Sequence, residues 1–239
     1  MVVAVVSAKG SPGVTSAALA LTAVADSGLL VELDPSGGSV ECWTGAAGEP
    51  GLIRVASGLR RSVDPEALLG HAVEVPPGVW SVLAPTAGGL AESTIANLGA
   101  RLVQALAGLD RTVVADAGRW SPSQATAGRF AGCDTVAVVC APTVDGIEAA
   151  RWLVEPLESA AGGPVVLLPV GDRPYGPEEL AAAVGVPVIG PLEWDPRGLR
   201  VLVSSGAGRA WARTALARSA RAALASLTGA GEGSVVDRG

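Results

Sequence analysis

A glycine-rich segment near the start of the chain combines small residues, a lysine and hydroxyl groups, in the order Ser7-Ala8-Lys9-Gly10-Ser11-Pro12-Gly13-Val14-Thr15-Ser16. The apolar run 2–6 precedes this segment, and a stretch of helix-forming residues follows it. In a strand–loop–helix unit of this kind, backbone N–H groups and the positive end of the helix dipole bind phosphate. The segment therefore indicates binding of the phosphate groups of a nucleotide.

The segment departs from the usual phosphate-loop pattern, G-x-x-x-x-G-K-S/T. Aligned on that pattern, Gly13 and Thr15 match, whereas Ala8 replaces the first glycine. Val14 stands where a lysine would contact the β- and γ-phosphates. The sequence thus predicts a phosphate loop that lacks one positive charge.

Lysine is used once in this chain, at Lys9, although the sequence has 17 basic residues. Lysine is among the commonest residues in ordinary proteins. Its compact ammonium group binds phosphate as a point charge, which differs from the fork of an arginine. The placement of the single lysine in the glycine-rich segment favours a functional role for Lys9 over chance.

Two aspartates follow predicted strands at positions where a ligand could bind. Asp34 comes after the apolar run 29–33, and Asp116 comes after the run 112–115. Ligands of parallel sheets bind at the carboxyl ends of the strands. Either aspartate alone is equally well explained as a turn residue, but together with the glycine-rich segment they predict a site for a nucleotide and Mg²⁺.

Apolar runs of strand length alternate with helix-like stretches along the chain. Predicted strands are 2–6, 29–33, 79–83, 112–115, 135–140, 165–168 and 186–189, and predicted helices are 15–25, 65–70, 91–107, 144–161, 177–184 and 207–227. This alternation predicts an α/β fold with a doubly wound, mostly parallel sheet flanked by helices. Hydrophobic residues make up 49% of the sequence and aromatic residues only 3%, as expected for strands buried on both faces.

The length of 239 residues fits one domain with a substantial core. No internal repeat is present. We predict a single domain over residues 1–227 and a flexible tail over 228–239, where glycine and serine are frequent.

The segment Lys9–Thr15 resembles the deviant Walker A motif, K-G-G-x-G-K-T, of the MinD/ParA group of P-loop ATPases. In that group, an extra lysine near the start of the loop reaches across a nucleotide-sandwich dimer to the phosphates of the partner. The resemblance assigns this catalytic role to Lys9 and makes Thr15 a Mg²⁺ ligand. It places the remaining nucleotide contacts of the loop at Gly10, Ser11, Gly13, Val14, Thr15 and Ser16.

Two later segments are similar to the switch regions of the same group. Leu29–Pro35 resembles the second strand and switch I, with Glu32 and Asp34 at the two acidic places. This similarity implies that Asp34 is a catalytic residue near the γ-phosphate and the attacking water. Thr112–Gly118 resembles the Walker B strand and switch II, which implies that Asp116 holds Mg²⁺ through water.

Further similarity covers most of the chain. Val79–Pro85 and Val136–Thr143 resemble strands of the group, and Val186–Pro196 resembles the segment that passes the base. That resemblance implies that Asp195 and Pro196 contribute to cofactor binding. The usual Asn-Arg pair after the preceding strand has no clear counterpart, so recognition of adenine is left open.

Two functions follow from the resemblance. The first is a nucleotide-binding protein for spatial positioning or assembly, which binds ATP or ADP with Mg²⁺ and forms an ATP-dependent homodimer. Hydrolysis would be weak or absent, because phosphoryl transfer depends on charge neutralisation and Val14 supplies no charge. The second is a nucleotide-independent scaffold, a pseudo-ATPase, since the pilus- and secretion-assembly relatives of the TadZ/CpaE type also have atypical loops.

The net charge of −6 argues against nonspecific binding of nucleic acid by the whole chain. Residues 197–221 nevertheless contain six arginines and no acidic residue. We favour a solvated helix with local ion pairs there and keep nonspecific DNA contact as the alternative. The last residues lack the pattern of an interfacial helix, so no direct membrane anchor is expected. Without an apolar run of membrane-spanning length or a leader pattern, the expected location is the cytoplasm.

Other chemistry-bearing residues indicate less. The single histidine, His71, cannot form a His-rich metal site, and no nucleophile motif accompanies it. The three cysteines lack metal-ligand spacing and are predicted to be reduced core residues. Trp43 and Trp120 follow the two switch-like segments and are either core or lid residues or exposed anchors for a partner.

Overall fold

The computed structural model describes residues 1–9, 13–45, 51–59, 64–120 and 127–229. Its sheet has seven strands in the order β3-β4-β2-β5-β1-β6-β7. All neighbouring strands are parallel except β3 and β4. The predicted fold class is therefore confirmed. The strands are β1 (Val2–Ser7), β2 (Gly28–Glu32), β3 (Val73–Glu74), β4 (Trp80–Val82), β5 (Thr112–Arg119), β6 (Thr135–Cys140) and β7 (Val165–Pro169).

Helices cover both faces of this sheet. Within the described residues they are α1 (Val14–Val24), α2 (Val40–Thr44), α3 (Gly51–Leu59), α4 (Pro65–Leu69), α5 (Gly88–Ala107), α6 (Val144–Ala160), α7 (Pro177–Val184), α8 (Pro196–Ser205), α9 (Arg209–Ala212) and α10 (Ala215–Gly229).

Strand β1 shows why the central strands are continuous apolar runs. Its residues at positions 2, 4 and 6 pack into the core beneath α3, α5 and α6, and those at positions 3 and 5 pack into the core beneath α1 and α10. Every residue of β1 is buried, because successive side chains of a strand point to opposite faces. The composition of Val, Leu and Ala thus fills two separate cores.

The carboxyl-terminal part corrects two predictions. Residues 186–189 form only an isolated parallel bridge, between Val188 and Leu167. The predicted helix 207–227 is two helices, α9 and α10, and α8 was not predicted at all. Asp195 accounts for the starts of α8 and α10, because its carboxylate caps α8 and also accepts N–H groups at the start of α10.

Some smaller features also differ from the predictions. Cys42 is exposed, so its assignment to the core is wrong, whereas Cys133 and Cys140 are buried as predicted. Burial raises the pKa of both buried thiols to about 12. Helix α10 includes Thr228 and Gly229, and the rest of the predicted tail lies outside the described residues. Among the described helices, none has the length and apolar character needed to cross a bilayer.

Candidate functional site

A cavity of about 470 Å³ opens at the carboxyl ends of the central strands, where the predicted site residues meet. Its walls come from the loops that follow β1, β2 and β5 and from the chain between β7 and α8. Of the predicted phosphate-loop residues, Gly13, Val14, Thr15 and Ser16 all line the cavity. Gly10 and Ser11 lie outside the described residues.

The start of α1 leaves its backbone N–H groups open towards this cavity. Gly13 precedes the helix in the left-handed conformation, with a φ of 93°, which favours glycine. No side chain of the described residues caps the helix, and its first turn carries no acidic residue. An uncapped helix start of this kind attracts an anion through its N–H groups and its dipole.

Asp116 lies beside this helix start and is 1% exposed. Its carboxylate accepts the N–H of Gly118 at 3.1 Å. Burial raises the pKa of Asp116 to about 7, and the charges of Glu32 and Asp34 add to the rise. The side chain of Thr15 opposes this rise, so the two predicted metal residues lie close together.

This pair fits a Mg²⁺ ion that is also held by phosphate oxygens. Mg²⁺ binds hydroxyl and carboxylate oxygens and is commonly held by one or two carboxylates together with substrate phosphates. The described residues contain no cluster of three or more His, Cys, Asp or Glu side chains able to bind a metal by themselves.

Asp34 lines the same cavity and is fixed by its neighbours. Its Oδ1 accepts the N–H of Ser36 at 2.8 Å. The backbone of Gly118 lies so close that an added Cβ would overlap the carboxyl group of Asp34. Gly118 has a φ of 62°, so the close approach of its backbone to Asp34 requires glycine both for space and for conformation.

Two charged residues that the sequence analysis did not assign to the site stabilise its surroundings. Glu32 is buried, and its two carboxylate oxygens accept N–H groups of Ser39, Val40 and Ala84 at 2.7, 2.9 and 3.0 Å. It thereby connects the end of β2 to α2, although burial raises its pKa. Arg129 is 2% exposed. Burial lowers the pKa of Arg129 to about 10, against the opposing effect of the charge on Asp34.

Lys9 lies outside the large cavity. It lines a neighbouring cavity of about 130 Å³, and its Nζ forms an ion pair with Oδ2 of Asp145 at 2.8 Å. Both side chains are more than half exposed, at 54% and 70%. The hydrogen bond from Lys9 and a second one from Thr143 lower the pKa of Asp145 to about 2.

Asp195 and Pro196 also line the large cavity. Oδ1 of Asp195 accepts the N–H of Gly198 at 2.8 Å, and Oδ2 accepts those of Ala215 and Leu216 at 3.2 and 3.4 Å. These bonds hold the pKa of Asp195 below its usual value, with the bond from Gly198 contributing most. Asp195 therefore also has a structural role.

Two tryptophans line the cavity and a third does not. Trp43 and Trp194 line it and are 42% and 69% exposed. Trp120 instead packs in the core against Phe130, with the ring centroids 5.5 Å apart. The two interpretations left open for Trp43 and Trp120 thus separate, because Trp43 is a wall of the site and Trp120 is a core residue.

The carboxyl-terminal arginines do not form the local ion pairs that the sequence analysis favoured. Each is exposed, and none forms an ion pair with another residue of the described ranges. The arginines lie on three shorter helices instead of one long helix. Helix α8, helix α9 together with the residue that ends it, and helix α10 each carry two arginines about one turn apart. The six are Arg197, Arg200, Arg209, Arg213, Arg218 and Arg221.

Comparison with known proteins places this geometry in context. No protein-family model matches the chain. It is 31% identical over 238 residues to the uncharacterised protein Rv3660c of Mycobacterium tuberculosis, and equally to MT3760 from a second strain. These matches cover 97% of this chain but 65% of the relatives, so the chain spans just under two thirds of their length.

Solved structures resemble the whole chain. A ParA family ATPase from Chlorobium tepidum has a TM-score of 0.75 at 17% identity, with 94% of this chain and 98% of that one covered. MinD of Pyrococcus horikoshii, complexed with Mg-ADP, has 0.75 at 15%, with 98% and 99% covered. A Cyanothece McdA variant complexed with ATP has 0.68 at 15%, with 95% and 96% covered. The chain therefore has the P-loop NTPase fold of the MinD/ParA type.

Proposed function

We propose that this chain binds ATP or ADP with Mg²⁺ and acts in spatial positioning or assembly, as MinD/ParA-type proteins do. The observation that carries the proposal is the uncapped start of α1, which opens on a cavity of about 470 Å³ with Thr15 in its wall and the buried Asp116 close by. The MinD and McdA structures that share the fold hold Mg-ADP and ATP, which supports the same ligands for this chain.

Each described residue of the site has a distinct part in this proposal. The N–H groups that follow Gly13 bind phosphate oxygens, with Ser16 beside them. Thr15 and Asp116 hold Mg²⁺, which neutralises phosphate charge when bound. Asp34 lies where it can orient a water near the last phosphate. Val14 adds no charge, so hydrolysis is weak or absent.

The proposal includes a homodimer assembled around ATP. Lys9 is exposed and lies outside the large cavity, with its Nζ paired to Asp145. An exposed ion pair of this type contributes little to stability. Lys9 can therefore leave Asp145 and reach the phosphates held by a partner subunit with little loss of stability.

The partners belong to the proposal as well. We infer protein partners in a positioning system or in a pilus- or secretion-type assembly of the TadZ/CpaE kind, in the cytoplasm, where ATP is available. Nonspecific DNA is a second candidate, favoured by the exposed arginines of α8, α9 and α10, which have no acidic partner among the described residues. A direct membrane anchor is not part of the proposal.

Equilibrium dialysis of the purified protein with ATP, in Mg²⁺ and in chelator, tests nucleotide binding. We expect saturable binding that Mg²⁺ strengthens. No binding under either condition would reject the proposal and leave the nucleotide-independent scaffold.

Light scattering coupled to size exclusion then tests the dimer. Lys9→Ala should abolish the ATP-dependent dimer and leave binding of ATP to the monomer intact. Val14→Lys should raise ATP turnover. A dimer that forms equally without ATP, or in Lys9→Ala, would favour the scaffold.

A further inference from the structure

The charge of the large cavity is unusual for a site that holds polyphosphate. Among its described lining residues, the ionisable side chains are Asp34, Arg119, Glu193 and Asp195. Lys9 belongs to the neighbouring cavity, and position 14 is valine. Arg119 is thus the one basic side chain among the described residues that line the large cavity. A bound di- or triphosphate needs cationic neighbours, because unpaired charges are costly to remove from water.

The fold holds Arg119 beside the phosphate loop. It is the last residue of β5 and lies opposite Ser7, the last residue of β1, from which the loop starts. The next N–H, of Trp120, donates to the carbonyl oxygen of Ser7 at 2.7 Å and fixes this register.

Arg119 and its neighbour Trp120 have different surroundings. The side chain of Trp120 packs into the core against Phe130. Arg119 instead lines the large cavity, where a ligand can reach it.

The side chain of Arg119 is exposed and forms no hydrogen bond or ion pair with the described residues. A guanidinium group is planar and permanently charged, and it binds two phosphate oxygens at once. No protein contact of the described part must be broken before Arg119 engages such a ligand.

We propose that Arg119 binds the β- and γ-phosphates of a nucleotide held in its own subunit, in place of the lysine that is missing at Val14. This inference rests on the proposed nucleotide binding. It assigns the two cations to different subunits, with Arg119 acting within the subunit and Lys9 acting on the partner.

The test compares affinities for Mg-ADP and Mg-ATP, by calorimetry, among the unaltered protein, Arg119→Gln, Arg119→Lys and a control. The control is Arg101→Gln, which removes an exposed arginine of α5 that lines neither cavity. We expect Arg119→Gln to weaken binding of both nucleotides by about 10- to 100-fold, as for loss of hydrogen bonds to a charged group. Arg119→Lys should retain only part of the affinity, because it keeps the charge but loses the contact with two oxygens at once. The control should change the affinity less than about twofold.

A second variant separates phosphate binding from structural support. Val14→Lys, introduced into Arg119→Gln, should recover most of the lost affinity, because it restores a positive charge at the usual place of the loop. A purely structural role of Arg119 would instead lower the melting temperature and would not be rescued.

The outcomes distinguish a failure of nucleotide binding from a failure of the role assigned to Arg119. If the unaltered protein binds no nucleotide, the proposed function fails. If it binds nucleotide and Arg119→Gln binds equally well, or if the added lysine brings no recovery, the assignment of Arg119 is overturned and nucleotide binding stands.

Discussion

Two helices start at the carboxyl ends of neighbouring strands, and their first turns are capped differently. Helix α1 follows β1 after Gly13, which has no side chain with which to cap it. Helix α6 follows β6 after Thr143, whose hydroxyl accepts the N–H of Gly146 at 3.3 Å. Asp145 adds a negative charge to the first turn of α6, whereas the first turn of α1 has none.

The difference shows that position in the fold is not enough to make a phosphate site. The start of α6 is occupied by side chains of its own chain, including Lys9 through Asp145, and the adjoining cavity measures about 130 Å³. The start of α1 faces about 470 Å³ and a buried carboxylate, Asp116. An uncapped helix start with room beside it is available to an anion, and a capped one is not.

The largest change in stability is expected from Asp116→Asn in the metal-free protein, and it tests the buried carboxylate beside the start of α1. The pKa of Asp116 is about 7 in the folded protein, against 3.8 for the ordinary side chain. Between these values the folded state keeps a proton that the unfolded state has released, so this group lowers stability as pH rises. Across the whole interval the loss is roughly 4 kcal/mol, at 1.36 kcal/mol per pKa unit.

Asparagine does not titrate, so the variant should lack this slope and be more stable than the unaltered protein at pH 8, but not at pH 4. Urea unfolding in chelator from pH 4 to pH 8 measures the difference. Parallel pH profiles of the two proteins would show that Asp116 is not held as described.

A smaller effect on stability is expected from Gly118→Ala, which probes the contact of Gly118 with Asp34. The added Cβ meets both a positive φ of 62° and the carboxyl group of Asp34. We expect a loss of about 2 to 3 kcal/mol in the free energy of unfolding, from backbone strain and overpacking together.

The matched control is Gly185→Ala, where φ is 85° but no atom lies within 4 Å of the added Cβ. Strain alone should reduce stability by about 1 kcal/mol there. Equal losses in the two variants would mean that Asp34 moves aside without penalty.

The smallest effect concerns the closed start of α6. Removal of the Lys9 ammonium in Lys9→Gln takes away the main cause of the depressed pKa of Asp145, which is about 2 in the intact pair. The pKa of Asp145 should rise towards its usual value, while stability at pH 7 stays the same because both side chains are exposed. Carboxyl ¹³C titration by NMR gives the pKa directly, and an unchanged value would show that Lys9 does not hold this site.

The sequence predicted the central fold well because both faces of the strands are covered, which makes each strand an apolar run of recognisable length. It failed at the carboxyl-terminal helices. Asp195 and Pro196 form a typical helix start, with a capping carboxylate followed by proline, and this signal was available for α8. The break between α9 and α10 depends on the second use of Asp195 by Ala215 and Leu216, which no local pattern reveals.

The site divides in the same way. The placement of Asp34, Thr15 and Asp116 at one edge of the sheet could be predicted, because each lies near or beyond the carboxyl end of a strand in a motif of fixed spacing. Arg119 and the pairing of Lys9 with Asp145 could not, because they depend on which strands are neighbours. Arg119 reaches the loop only through the pairing of β5 with β1, and Lys9 meets a residue 136 positions away.

Hydrogen exchange with and without Mg-ADP tests most directly whether the start of α1, and not that of α6, holds phosphate. The diphosphate is the suitable ligand because it does not require the ATP-dependent dimer. We predict slower exchange in peptides that cover residues 14–19 and 112–120, with no change over residues 144–150. Protection of residues 144–150 without protection of residues 14–19, at a saturating concentration of Mg-ADP, would contradict this account.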